Sequence, residues 1–141
     1  MTDGKLILYL RSFSYKTGIP APLDENGGGF IFDCRCLPNP GREERYKNLT
    51  GLDAEVIQYL DQKKQAIEYW DHVYKLVRLS VKAYQERGFS SLSVFFGCTG
   101  GQHRSVYFAE KLKFNLQSIP NLEIDLEHIQ IIKGLLKKEN K

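Results

Sequence analysis

The strand-length apolar run Ser91 to Gly97 (SLSVFFG) passes through a glycine-rich turn straight into a helix-patterned segment, Arg104 to about Gln117. A run with so few polar side chains must be buried, so it reads as an interior strand. In the segment that follows, Val106, Ala109, Leu112 and Leu116 recur at helical spacing, and Pro120 stops the helix. The rest of the chain extends the alternation. Lys5 to Arg11 (KLILYLR) and Phe30 to Cys36 (FIFDCRC) are of strand length, and Leu122, Ile124 and Leu126 alternate as a strand does. Ile67, Trp70, Val73, Tyr74, Val77, Val81 and Tyr84 fall on one helical stripe, with Trp70 and Tyr74 as core members. They predict one long or two consecutive helices from about Asp53 to Arg87, started near Thr50 and Asp53 and ended by Gly88. Strands separated by helices make an α/β protein. The expected architecture is a single compact domain over residues 1–141, with a mixed sheet flanked by helices. Its core spans about 5–126, and a basic tail occupies about 127–141.

A chain of 141 residues, 42% hydrophobic and 26% charged, can bury a core unaided. No segment approaches the roughly 20 apolar residues of a membrane helix, and no leader pattern opens the chain, so a cytoplasmic protein without membrane contact is expected. Cys34, Cys36 and Cys98 do not suggest a disulfide framework. Together with His72, His103 and His128 they form no paired metal-ligand motif, and neither a metal nor a cofactor is expected. The net charge of +3 gives a weak overall field, so any polyanion must be met by a local basic patch.

The turn Gly97-Cys98-Thr99-Gly100-Gly101-Gln102-His103-Arg104-Ser105 is the densest concentration of chemistry. Backbone N–H groups and a helix N-terminus converge after such a strand, a setting suited to an anion. Gly97, Gly100 and Gly101 permit close approach and positive φ. Arg104 can present a two-pronged contact to phosphate oxygens. The same residues spell Cys-x5-Arg-Ser, which fits a second chemistry. Cys98 as a thiolate nucleophile, Arg104 as its phosphate clamp and Asp33 or Asp53 as general acid would make a cysteine-dependent phosphatase.

Two long connections, Ser12 to Gly29 and Leu37 to Leu52, are punctuated by Pro and Gly, and long ordered connections often carry function. Asp33 and Arg35 alternate with Phe32 and Cys34 near a strand end, so they either line a pocket or form an ion pair that fixes the next loop. Arg42, Arg45 and Lys47 in the second connection are candidate phosphate contacts. Lys133, Lys137, Lys138 and Lys141 near the end are others.

Three segments taken together resemble one family. GCTGGQHRSVYFAE (Gly97 to Glu110), FDCRCLPNP (Phe32 to Pro40) followed by LTGLD (Leu49 to Asp53), and SFSYKTGIP (Ser12 to Pro20) are similar to successive signature blocks of the C-terminal domain of the RapZ and YvcJ-type RNase adapter family. The resemblance runs from about Leu6 to Leu126. It implies binding of small regulatory RNA, sensing of a phosphorylated amino sugar such as glucosamine 6-phosphate, and self-association into a homo-oligomer. The family loop carries over onto Cys98, Thr99, Gly100, Gly101, His103, Arg104 and Ser105, and the second block onto Asp33, Arg35 and Asn39. No G-x-x-x-x-G-K-[ST] run is present, so the family's nucleotide hydrolysis is not carried over and a stand-alone module is expected. Gly41 and Thr17 stand where relatives commonly carry an aromatic or histidine and a histidine, respectively. The resulting expectation is a non-enzymatic sensor or adapter that holds a phosphorylated small molecule, an inorganic anion or structured RNA.

Overall fold

A computed structural model describes residues 5–131. Four strands, β1 (Leu6–Ser14), β2 (Phe30–Asp33), β3 (Ser91–Cys98) and β4 (Leu122–His128), form one sheet in the order β2-β3-β1-β4. All three pairings are parallel, whereas a mixed sheet was expected. The reason lies in the connections. None is a hairpin, and each is long enough to return the chain to the same end of the sheet. Helices α1 (Ala54–Asp61) and α2 (Lys64–Glu86) link β2 to β3, and α3 (Arg104–Leu116) links β3 to β4.

The central strand β3 is buried along its whole length, as its apolar sequence requires. Leu92, Val94, Phe96 and Cys98 face the same side as Leu6, Leu8 and Leu10 of β1, where they meet Phe108, Leu112 and Leu116 of α3. Phe96 and Phe108 are fully buried with ring centroids 6.1 Å apart, and truncating either to Ala would cost about 3–5 kcal/mol. The helical stripe holds except at Ile67. Val73, Val77 and Val81 are buried together with Ala66, the half-buried Trp70, Tyr74 and Tyr84 pack against the core, and Ile67 is 56% exposed.

Among the described residues, the segment after β1 lies over the other face of β3. Asp24 accepts from Ser93 Oγ at 2.5 Å and from the N–H groups of Asn26 and Gly28, which pins this segment over Ser91 and Ser93. Gly88 ends α2 in a left-handed conformation (φ +73°), with Phe89 N–H donating to Tyr84 C=O and Gly88 N–H to Gln85 C=O. The Phe89 and Tyr84 rings then meet edge-on at 4.7 Å, the apolar contact that accompanies this type of helix stop. At the start of α1, the Asp53 carboxylate reaches back to the Thr50 N–H at 2.7 Å.

Strand β4 continues to His128, beyond Leu126, and residues 129–131 begin a helical turn. Lys133, Lys137, Lys138 and Lys141 lie outside the described residues. No helix among the described residues is long and apolar enough to cross a membrane.

Candidate functional site

The carboxyl ends of β2 and β3 open onto the loop Thr99 to His103, which leads into α3. Ligands in parallel sheets gather at such ends. The three glycines of the turn do different work. Gly101 alone among them has positive φ (+65°), and a Cβ there would stand 2.8 Å from Ser14 N. Gly97 makes room for the rings of Phe13 and Tyr15, and a Cβ on Gly100 would meet nothing within 4 Å. Ser14 Oγ donates to Thr99 C=O at 2.6 Å and fixes the start of the loop.

Arg104 is 4% exposed. Its Nη1 donates to the carbonyls of Arg35 at 2.9 Å and Leu37 at 3.0 Å, tying the chain after β2 to the start of α3. Its Nε is buried and has no hydrogen-bond partner. A buried guanidinium N–H without an acceptor is costly, so this donor is unsatisfied in the structure as it stands. Arg104 lines a cavity of about 410 Å³ together with Arg35, Arg42, Asn39, Thr99 and Gln65. Residues from the chain after β2, from α2, from the turn before α3 and from the first position of α3 thus bring three arginines to the lining of one space.

Arg35 is held as well as charged. Its Nε and Nη2 donate to the two carboxylate oxygens of Asp33 at 2.9 and 2.7 Å, and its guanidinium lies 3.8 Å from the centre of the Tyr15 ring. The pairing with Arg35 holds the Asp33 carboxyl below its ordinary value. Asp33 is therefore ionised and spoken for, a poor proton donor. Its backbone carbonyl accepts from Tyr69 Oη at 2.7 Å.

Cys98 is 2% exposed and its thiol contacts Ser105 Oγ at 3.2 Å; Ser105 is fully buried. Neither lines the arginine cavity. Burial pushes the neighbouring Cys34 thiol well up, and Cys36 is exposed at the cavity wall. Among the described residues no group of three or more His, Cys, Asp or Glu side chains is arranged to hold a metal.

Gln102 and His103 turn away from the cavity. Gln102 Nε2 donates to the carbonyls of Lys47 and Leu49 at 2.8 and 2.6 Å, and His103 Nε2 donates to Tyr46 C=O at 2.8 Å. Burial lowers the His103 pKa below its ordinary value, so the ring is neutral. Gln102 thus holds the chain from Lys47 to Leu49 and His103 holds the turn Glu44–Tyr46, while Gly41 of the turn Pro40–Arg42 packs against the His103 ring, where a Cβ would lie 3.2 Å from Cε1. Asn39 Oδ1 accepts from Gly41 N–H at 2.9 Å and shapes the first of these turns.

Of the residues expected at the site, Thr99, Arg104, Arg35 and Asn39 line the cavity. Arg42, expected only as an RNA contact, joins them, whereas Arg45 and Lys47 pair with Glu43 and Glu44. Gln65 escaped the sequence reading because nothing distinguishes it from other polar residues on the surface of α2. Tyr15, the support under Arg35, lay within a recognised block, but no local pattern assigned it that role.

The chain matches the RapZ C-terminal domain over residues 6–132. It is 45% identical over 109 residues to a nucleotide-binding protein of Alkalilimnicola ehrlichii, covering 77% of this chain and 36% of that protein. With a nucleotide-binding protein of Solibacter usitatus it shares 38% over 129 residues, covering 92% of this chain and 38% of the relative. With one of Pseudothermotoga lettingae it shares 36% over 110 residues, 78% of this chain and 38% of that one. The chain thus spans well under half the length of these relatives. A match across nearly all of the described fold, containing the turn that joins β3 to α3 and the loop its arginine holds, places this chain in the RapZ C-terminal domain family.

Proposed function

We propose that the chain is a non-enzymatic sensor or adapter module that takes a phosphate group, from a phosphorylated metabolite or from RNA, into the cavity between Arg35, Arg42 and Arg104. The observation that carries this reading is that the buried Arg104, whose Nε has no hydrogen-bond partner, lines one cavity together with two exposed arginines. Charge-assisted contacts to a phosphate contribute about 1.5–3 kcal/mol each when desolvated. Thr99 and Asn39 supply further polar groups. An amino-sugar phosphate is the first metabolite to test, because the family resemblance implies it. RNA binding would draw on Arg42, with Arg45 and Lys47 beside it, and self-association would multiply these weak contacts. The module is expected to act in the cytoplasm.

Calorimetry with inorganic phosphate and glucosamine 6-phosphate decides the reading. Binding that weakens at least tenfold in Arg42→Ala supports it, and equal affinity in wild type and variant places the phosphate elsewhere.

The contact of Cys98 with Ser105 favours one second reading, a cysteine phosphatase. Against it stand the ionised Asp33 and the absence of Cys98 from the cavity wall. The sensor reading expects no turnover of p-nitrophenyl phosphate and retained phosphate binding in Cys98→Ser. Turnover abolished by Cys98→Ser but not by Cys34→Ser would establish the enzyme.

A further inference from the structure

The pair of turns that gives Arg42 to the arginine cavity gives Glu43, Arg45 and Tyr46 to a second cavity, of about 480 Å³. Helix α1 supplies Glu55, Gln58 and Tyr59 to its wall. The volume lies in the range of roughly 300–1,000 Å³ common to small-molecule pockets. Its charges cancel. Glu43 and Glu55 stand against Arg45 and Lys63, with Glu43 and Arg45 paired at 3.3 Å. Such a lining selects neither a strong anion nor a strong cation.

What the cavity offers instead is ring surface and carboxamides. Tyr46 is buried and tilted against the half-buried Tyr59, with centroids 5.3 Å apart. The Lys63 ammonium rests 4.5 Å from the centre of the Tyr59 ring, and the Arg45 guanidinium 4.7 Å from that of Tyr46. Gln58 and Gln62 are exposed at the rim, and each carries both a donor and an acceptor. A flat, uncharged heterocycle with donors and acceptors along its edge matches this lining.

We propose that the Tyr59 cavity receives an unpaired nucleobase, stacked on Tyr59 and read at its edge by Gln58 and Gln62. The base displaces Lys63 from the ring, and the freed ammonium turns to the ligand's phosphate. The sugar-phosphate then continues toward Arg42 and the arginine cavity. This last part rests on the proposed phosphate site; the base-binding part does not.

The probes are AMP, ribose 5-phosphate and adenosine. AMP should bind about tenfold more tightly than ribose 5-phosphate, and Tyr59→Ala should remove that advantage while leaving ribose 5-phosphate unchanged. Tyr59→Phe should retain it. Gln58→Ala, at an exposed position, should weaken AMP alone and guards against a Tyr59 variant that misfolds. Adenosine should shift the Tyr59 ring resonances. Where the natural ligand is RNA, a single-stranded oligoadenylate competes better than AMP and loses affinity steeply with salt; where it is a free nucleotide, AMP competes better. Equal binding of AMP and ribose 5-phosphate, with no response of Tyr59 to adenosine, overturns the proposal and leaves the phosphate site intact. A Tyr59 response to adenosine without binding of ribose 5-phosphate or inorganic phosphate upholds the base pocket and removes the phosphate reading.

Discussion

Arg104 donates from Nη1 to the main-chain carbonyl of Arg35 at 2.9 Å, so the buried arginine positions the backbone of the exposed one. The same nitrogen also reaches Leu37 C=O. One edge of the guanidinium is therefore structural, while its Nε remains unpartnered.

Arg104→Ala should consequently lower stability as well as phosphate affinity. Losing the charged contacts to two carbonyls should cost about 1.5–3 kcal/mol in urea denaturation. Arg104→Met, of similar reach but without a donor, should fail to rescue. A fully stable Arg104→Met variant would show that the two carbonyl bonds do not brace the loop.

Arg42 provides the contrast. It is exposed and has no carboxylate partner among the described residues, so Arg42→Ala should change stability by less than about 0.5 kcal/mol while weakening phosphate binding. Thermal melts beside calorimetry separate the two effects.

The glycines of the turn should differ sharply. Gly101→Ala forces a side chain into a left-handed position (φ +65°) and against Ser14 N at 2.8 Å, and should cost at least about 1–2 kcal/mol. Gly100→Ala meets nothing within 4 Å and should leave the melting temperature nearly unchanged. Similar losses in both would mean that the loop is not held in this conformation.

His103 sets a pH dependence. Burial lowers its folded pKa below the ordinary 6.5, so near and below that pH the unfolded chain binds more protons than the folded one. The stability contributed by the neutral ring is present above pH 6.5 and is lost as pH falls through the depressed folded value. His103→Gln should flatten the change of melting temperature over this window. An unaltered slope would assign the acid sensitivity to other groups.

Local sequence determined much of this protein. The period of the apolar residues defined β3, α3 and the paired helices α1 and α2, because burial of one face or both is written directly into spacing. The turn between β3 and α3 was equally legible as a break, since Gly97, Gly100 and Gly101 separate an apolar run from a helical stripe, whereas the burial of Arg104 and the positive φ of Gly101 alone were not. Sheet order and the parallel direction of every strand were decided only in three dimensions. Each follows from the path of a crossover, and no local pattern encodes it. Ile67 entered the apolar stripe by spacing, yet the buried line of α2 runs through Ala66, Val73, Val77 and Val81, because the sheet and α3 fix the rotation of that helix. The same holds at the site. Gln102 and His103 have the chemistry of ligand groups, but the returning chain at Tyr46 to Leu49 places carbonyls within their reach and turns them into clamps. Arg42 and Gln65 acquire their place beside Arg104 only when α2 and the second loop pack together, for a cavity is made by residues distant in sequence whose convergence depends on the tertiary fold.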